Sequence, residues 1–309
     1  MKNLFDQAGK LPAGNTSASV ENYFRVASMT GLEEKEISPE RKAVRIFVNG
    51  APFTAYMMEN GGATSTPLAD FSTLDRESSQ VRAIELPHVA GRLAWLALES
   101  QPETHFSIQS GNDWTAKADQ WKRDSWNGLV GITAKDMQGF ALFWQGEFRK
   151  VDTIFSTPQG FVNDFPKVDS ESAWEVTAYA CKPSTASYQD TVLRHAVMRW
   201  SSQIFIRYRE IVGAKLLRMM NRDLGRQIEP WGWKITLEEN EIQDTHFFAY
   251  LNEAAHAYRE IFMAMGAQMN VVLGNNLTRM LLNDTFEQIH SDERTVLQSL
   301  RLIPAAFSE

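Results

Sequence analysis

The sequence predicts an α+β protein: one or two small antiparallel β units with flanking helices, followed by a mainly helical C-terminal domain. Three observations lead there. Strand-like alternation and hairpin signals (Asn49-Gly50, Gln145-Gly146) lie within the first 184 residues. Beyond Pro183 the apolar residues recur at three- and four-residue spacing, the helical period. The 309 residues are 43% hydrophobic and 22% charged, enough to bury a sizeable core without disulfides or metals. The predicted divisions are a first α+β unit over 1–110, a second β-rich unit over 111–184 and a helical domain over 185–309.

The elements follow in order. Residues 6–18, rich in Gly, Pro, Ser and Thr, read as a loose lead-in. Ser19 to Met29 is a short helix that buries Val20, Tyr23, Phe24 and Val26, and charges cluster from Glu33 to Lys42. Ala43 to Val48 and Phe53 to Met58 are paired strands around Asn49-Gly50, with Pro52 constraining the pairing. Residues 60–80 read as a long loop. Leu86 to Leu98 is a helix with Pro87 in its first turn, and His105 to Ile108 is a strand. Residues 109–127 are polar apart from Trp114, Trp121 and Trp126.

Strands are expected at Leu129 to Thr133, Phe140 to Trp144, Phe148 to Phe155 and Trp174 to Ala180. Thr191 to Asp223 is apolar on nearly every side of its helical wheel, which implies burial in the fold or in a homodimer; Gly213 divides it. A small hairpin is expected around Trp231-Gly232-Trp233. Phe247, Leu251, Ala254, Tyr258, Phe262 and Met265 mark an amphipathic helix, broken at Gly274. Leu277 to Ile289 is the next helix. Ser291 caps a last short one, which Pro304 ends.

The two β-rich stretches echo one another. Ala43-Val44-Arg45-Ile46-Phe47-Val48-Asn49-Gly50 lines up with Gly139-Phe140-Ala141-Leu142-Phe143-Trp144-Gln145-Gly146, and upstream Gly31-Leu32 with Gly128-Leu129. The order helix, Gly-Leu, strand, turn glycine, strand, loop, helix, strand resembles the PATAN-type regulatory domain of bacterial response-regulator and motility-adaptor proteins. Val20 to Leu32, Ile46 to Gly50 and Val89 to Leu98 carry the resemblance. Pro52 and the length of the 60–80 segment depart from the pattern. The resemblance implies a non-catalytic, protein-binding role and supplies no site residues.

The candidate chemistries are few. One cysteine, Cys181, excludes an intrachain disulfide or a thiolate cluster and fits a reducing compartment. It follows an alternating strand and reads as a small buried hydrophobe. Glu253-Ala-Ala-His256 and Glu287-Gln-Ile-His290 match the Glu-x-x-His spacing of di-metal bundles. The helical wheel turns Glu253 and His256 away from the Phe247 face, however, and no glutamate lies between Glu260 and Glu287 to complete a site. Neither a nucleophile elbow nor a phosphate-binding glycine loop is present. No metal and no cofactor is predicted.

Seven basic residues lie between Thr191 and Arg222, opposed there only by Glu210. On one continuous helix, Arg207, Lys215, Arg218 and Arg222 would form a stripe. That stripe could pair with Glu238, Glu239, Glu241 and Asp244, meet an acidic protein, or meet nucleic acid or a nucleotide. Trp114, Trp121, Trp126, Trp144, Trp231 and Trp233 read first as core and second as interface anchors. Met263, Met265, Met269 and Met280 read as core first and oligomer interface second.

The N-terminus, Met1 to Asp6, lacks the apolar core of a signal peptide, and no uncharged apolar run reaches ~18 residues, so a cytoplasmic location is expected. A net charge of −7 argues against whole-protein affinity for nucleic acid. The expected function is a non-enzymatic regulatory adaptor that binds another protein, with a possible homodimer. The alternatives are a nucleic-acid or nucleotide-binding regulator using the basic helix face, and an enzyme or ligand carrier with a pocket between the β and helical parts.

Overall fold

The computed structural model describes Phe5 and residues 16–302, except 60, 77, 79, 166–172 and 239. The lead-in over 6–15, Glu239 and Pro304 lie outside the described residues. The chain forms two compact units, residues 1–187 and 188–309. The architecture is α+β, with the antiparallel sheets first and a helical C-terminal region.

Unit one opens with α1 (Ser17–Ala27), then β1 (Gly31–Ser38), β2 (Arg41–Val48), β3 (Ala51–Glu59) and β4 (Gly62–Thr66). A short helix α2 (Leu68–Phe71) and a 3-10 turn (Ser72–Arg76) lead to β5 (Gln80–Glu85), α3 (His88–Glu99) and β6 (Gln101–Ile108). Next come α4 (Gly111–Arg123), β7 (Gly128–Ala134), β8 (Met137–Trp144), β9 (Glu147–Thr157), β10 (Gly160–Val162) and β11 (Trp174–Ala180).

Three segments differ from expectation. The charged segment after Leu32 is β1, a central strand with Glu33, Glu34 and Lys35 all buried. The expected loop over 60–80 holds β4, α2 and the 3-10 turn. The polar, tryptophan-bearing stretch holds α4, capped by the Ser110 hydroxyl accepting from Asp113 N–H. In each case ion pairs or aromatic packing replace a plain hydrophobic period.

The two sheets repeat one another. The first runs β4-β3-β2-β1-β5; the second runs β10-β9-β8-β7-β11 with β6 added outside β11. Local geometry repeats as well. Asn49 and Gln145 both take positive φ, 49° and 52°, ahead of Gly50 and Gly146. Gly50 N–H donates to Met29 C=O at 2.7 Å and Gly146 N–H to Trp126 C=O at 2.9 Å. The Thr30 hydroxyl receives Asn49 N–H in one copy, and the Asn127 amide oxygen receives Gln145 N–H in the other. A Cβ on Gly50 would lie 2.8 Å from Phe24 C=O, and one on Gly146 2.5 Å from Trp121 C=O, so each hairpin tip needs glycine to sit against its helix end. Pro52 falls where the β2–β3 register shifts, between Ile46 and Phe47, where a lost ladder bond is tolerated. α3, buried along nearly its whole length, packs against β2 and β4 of one sheet and β7, β8 and β9 of the other.

Unit two takes most of α5 (Ala186–Val212), then α6 (Ala214–Ile228), a 3-10 turn (Glu229–Trp231), β12 (Ile235–Leu237) and β13 (Ile242–Asp244). α7 (Leu251–Leu273), α8 (Asn275–Glu287) and α9 (Ser291–Ser299) complete it. The hairpin near Trp231 is β12–β13, a few residues later than expected, and His290 rather than Ser291 is the N-cap of α9. One core runs from Leu193 to Leu302. Two helix–glycine–helix corners punctuate it, at Gly213 (φ 85°) and Gly274 (φ 77°). Their sequences correspond as Gly-x-x-Leu-x-Arg-Met, at 213–219 and 274–280.

Candidate functional site

Each unit holds a buried ionic cluster in which every arginine or lysine has a carboxylate beside it. In unit one, Arg45 donates through Nε and Nη2 to Glu33 at 3.0 and 2.6 Å and through Nη1 to Glu21 at 3.0 Å. Lys35 Nζ lies 2.7 Å from Asp75 and donates to Phe71 C=O at 2.6 Å, above the Phe71 ring. Asp75 also receives Ser17 N–H, at the start of α1. Burial raises the Glu33 carboxyl above its ordinary range, outweighing the Arg45 charge and hydrogen bonds. Asp75 is also pushed up by desolvation, but the Lys35 and Ser17 hydrogen bonds prevail and hold it below the usual carboxylate range.

The equivalent positions of the second sheet are apolar. Glu33 pairs with Arg45 across β1–β2, and Val130 pairs with Ala141 across β7–β8; Lys35 corresponds to Ile132 and Ser17 to Trp114. Trp114, Trp121, Phe143, Phe165 and Trp174 fill that side with ring contacts of 4.6 to 6.1 Å. The frame therefore closes with or without charges.

In unit two, Arg194 is fully enclosed. It bonds Asp190 at 2.6 Å and also bonds Asp244, which receives the Tyr258 hydroxyl on the same oxygen and His246 N–H on the other at 2.7 Å. Burial alone would lower the arginine's pKa, but Asp190 and Asp244 outweigh it, while burial drives the Tyr258 phenol far above its ordinary value. The cluster ties α5, β13 and α7 together.

The stripe over Arg207, Lys215, Arg218 and Arg222 needs correcting. Gly213 ends α5, so Arg207 stands on a different helix and pairs with Glu210 at 2.8 Å. Asp244, expected to face the stripe, is taken by Arg194. α6 instead buries Leu217, Met220, Asn221, Leu224 and Ile228 on one side. Its outer side carries Lys215, Arg218, Arg222 and Arg226, all exposed, the last three at i, i+4 spacing. Asp223 is the helix's one acid, 3.4 Å from Arg222 and 3.7 Å from Arg226. The row runs toward Trp231, which is 44% exposed and lies 4.4 Å, ring to ring, from Trp233. Sequence reasoning missed Arg226 because it counted basic residues only from Thr191 to Arg222.

Glu253 and His256 face solvent, as the wheel predicts. Glu287 pairs with Arg294. No group of three or more His, Cys, Asp or Glu is arranged to hold a metal ion among the described residues. Cys181 is half-buried, its thiol pushed up to about 11 by desolvation, and is a poor nucleophile at neutral pH. Trp95, Trp121, Trp144, Trp174 and Trp200 are core residues. No helix among the described residues is long and apolar enough to cross a membrane. Comparison of the chain with family models, with curated proteins and with solved structures finds no match.

Proposed function

We propose that the protein is a non-enzymatic regulatory adaptor that binds an acidic protein partner along the outer face of α6. The row of Arg218, Arg222 and Arg226 leading to exposed Trp231, on a chain of net charge −7, carries the reading. Four cations and one acid on a single amphipathic helix make a local positive field that an acidic surface would follow. A half-exposed tryptophan at the end of that row suits a central anchor. The resemblance to PATAN-type regulatory domains points the same way.

The test is an affinity pull-down from native extract at low salt. Wild type is expected to retain a partner that Arg218→Glu/Arg222→Glu and Trp231→Ala each lose, the charge reversal by at least tenfold. Nuclease treatment of the extract is expected to leave capture unchanged. Capture that survives the charge reversal overturns the proposal, and loss on nuclease treatment replaces it with nucleic-acid binding.

A further inference from the structure

We propose that the end of the α7–α8 hairpin is the surface through which two copies of this chain associate. Trp200 packs 4.4 Å from Phe262 and 5.3 Å from Phe286, ring to ring, so both arms of the hairpin return to the core there. The corner at Gly274 then lies up to ~18 Å farther out, at 1.5 Å per helical residue.

Toward that corner the solvent side of α7 changes character. Near the helix start it carries Glu253, His256 and Glu260. From there it continues as Met263, Ala267 and Val271, all exposed and spaced by four. No charged residue occurs between Glu260 and Arg279. Val271 is 87% exposed, Met280 59%, Leu277 51%, Val272 46% and Met263 40%. Single exposed apolar residues are ordinary, but Val271, Val272, Leu277 and Met280 around one corner, with Met263 farther back along α7, form an unpartnered patch. Met265 and Met269, on the inner side of α7, are fully buried, so the core already has its share.

Charge selects the occupant. Two copies of a chain of net charge −7 repel wherever their charged surfaces meet. They can approach where neither presents a charge, and the turn around Gly274 is such a place. A two-fold axis beside Gly274 would set Val271 and Leu277 of one copy against the same residues of the other, the self-complementary arrangement of a closed dimer. A charged partner would have to desolvate its charges against this apolar surface. An anionic bilayer would call for several lysines or arginines around the patch, and the hairpin end supplies Arg279 alone, half-buried. The related corner at Gly213 makes the contrast: where α8 has Asn276 and Asn283, α6 has Lys215 and Arg222. One corner leads to a basic face, the other to a mainly apolar one.

Sedimentation velocity on the full chain, over concentrations up to about 100 µM, tests this. Wild type is expected to form a reversible dimer. Val271→Lys/Leu277→Lys should weaken it at least tenfold with unchanged circular dichroism and melting, because both side chains are exposed. Arg218→Glu/Arg222→Glu should leave the dimer intact, which separates this contact from the α6 face. A chain that stays monomeric throughout, or a dimer indifferent to the lysines, overturns the proposal. So does flotation of wild type, but not of the lysine variant, with phosphatidylcholine–phosphatidylserine vesicles, which would assign the patch to a membrane surface.

Discussion

Asp75 is one side chain holding three backbone segments together: it accepts from the start of α1, meets Lys35 of β1 and sits in the 3-10 turn after α2. Its folded pKa is lowered from 3.8, so its contribution is complete above that value and is lost as pH falls through the depressed folded value. Glu33, in the same network, behaves in the opposite sense. Its folded pKa is raised above 4.5, so its contribution is present below that value and fades as pH rises through the folded value. Thermal melting against pH separates them. Asp75→Asn is expected to lower the melting temperature at pH 7 and to flatten its fall below pH ~4; an unchanged acid limb would refute the role given to Asp75. None of this was legible in the sequence, because Lys35, Ser17 and Asp75 meet only after the sheet has formed.

At the scale of elements, the second sheet, with the same strand order, is a natural control on the buried charges of β1 and β2. Val130, Ile132 and Ala141 occupy in the second copy the places of Glu33, Lys35 and Arg45 in the first. Breaking one partner of a buried network costs about 3–5 kcal/mol, whereas replacing the whole set with apolar groups of similar volume is near neutral or stabilising. Chemical denaturation should therefore find Glu33→Val alone strongly destabilising. The combined Glu33→Val/Lys35→Ile/Arg45→Met variant, which leaves without cations only Asp75 and Glu21, both reaching solvent, should lie within about 2 kcal/mol of wild type, with methionine filling the arginine's volume. If the triple variant loses as much as the three single variants summed, the charges are integral to the fold. β1 went unrecognised in the sequence for the same reason: a central strand that buries Glu33, Glu34 and Lys35 beside Leu32 shows no alternation of apolar and polar. The one clue was Gly31-Leu32, which matches the Gly128-Leu129 that opens β7.

For the whole molecule, the two proposed surfaces differ in physics, and salt distinguishes them. An acidic partner held on the α6 face by exposed cations should lose affinity severalfold as ionic strength rises from 50 to about 500 mM. Two chains of like net charge joined at the hairpin end by apolar contact should stay associated, or associate more strongly by screening, under the same change. Sedimentation and pull-down on one preparation read both; a parallel loss of the two would mean that the contacts are not physically distinct.

The sequence by itself determined the α+β class, the change to helices near Pro183, the two glycine hairpins and the breaks at Gly213 and Gly274. Each is a local property: side-chain period, a positive φ only certain residues tolerate, or a short turn motif. Only the tertiary structure decided that the charged segment after Leu32 is a central strand and that Arg226 replaces Arg207 in the basic row. It also decided that two of the four clustered methionines, Met265 and Met269, are core while Met263 and Met280 face outward. Those outcomes depend on which distant residues arrive to pair a charge or cover a side chain, and local period carries no information about that.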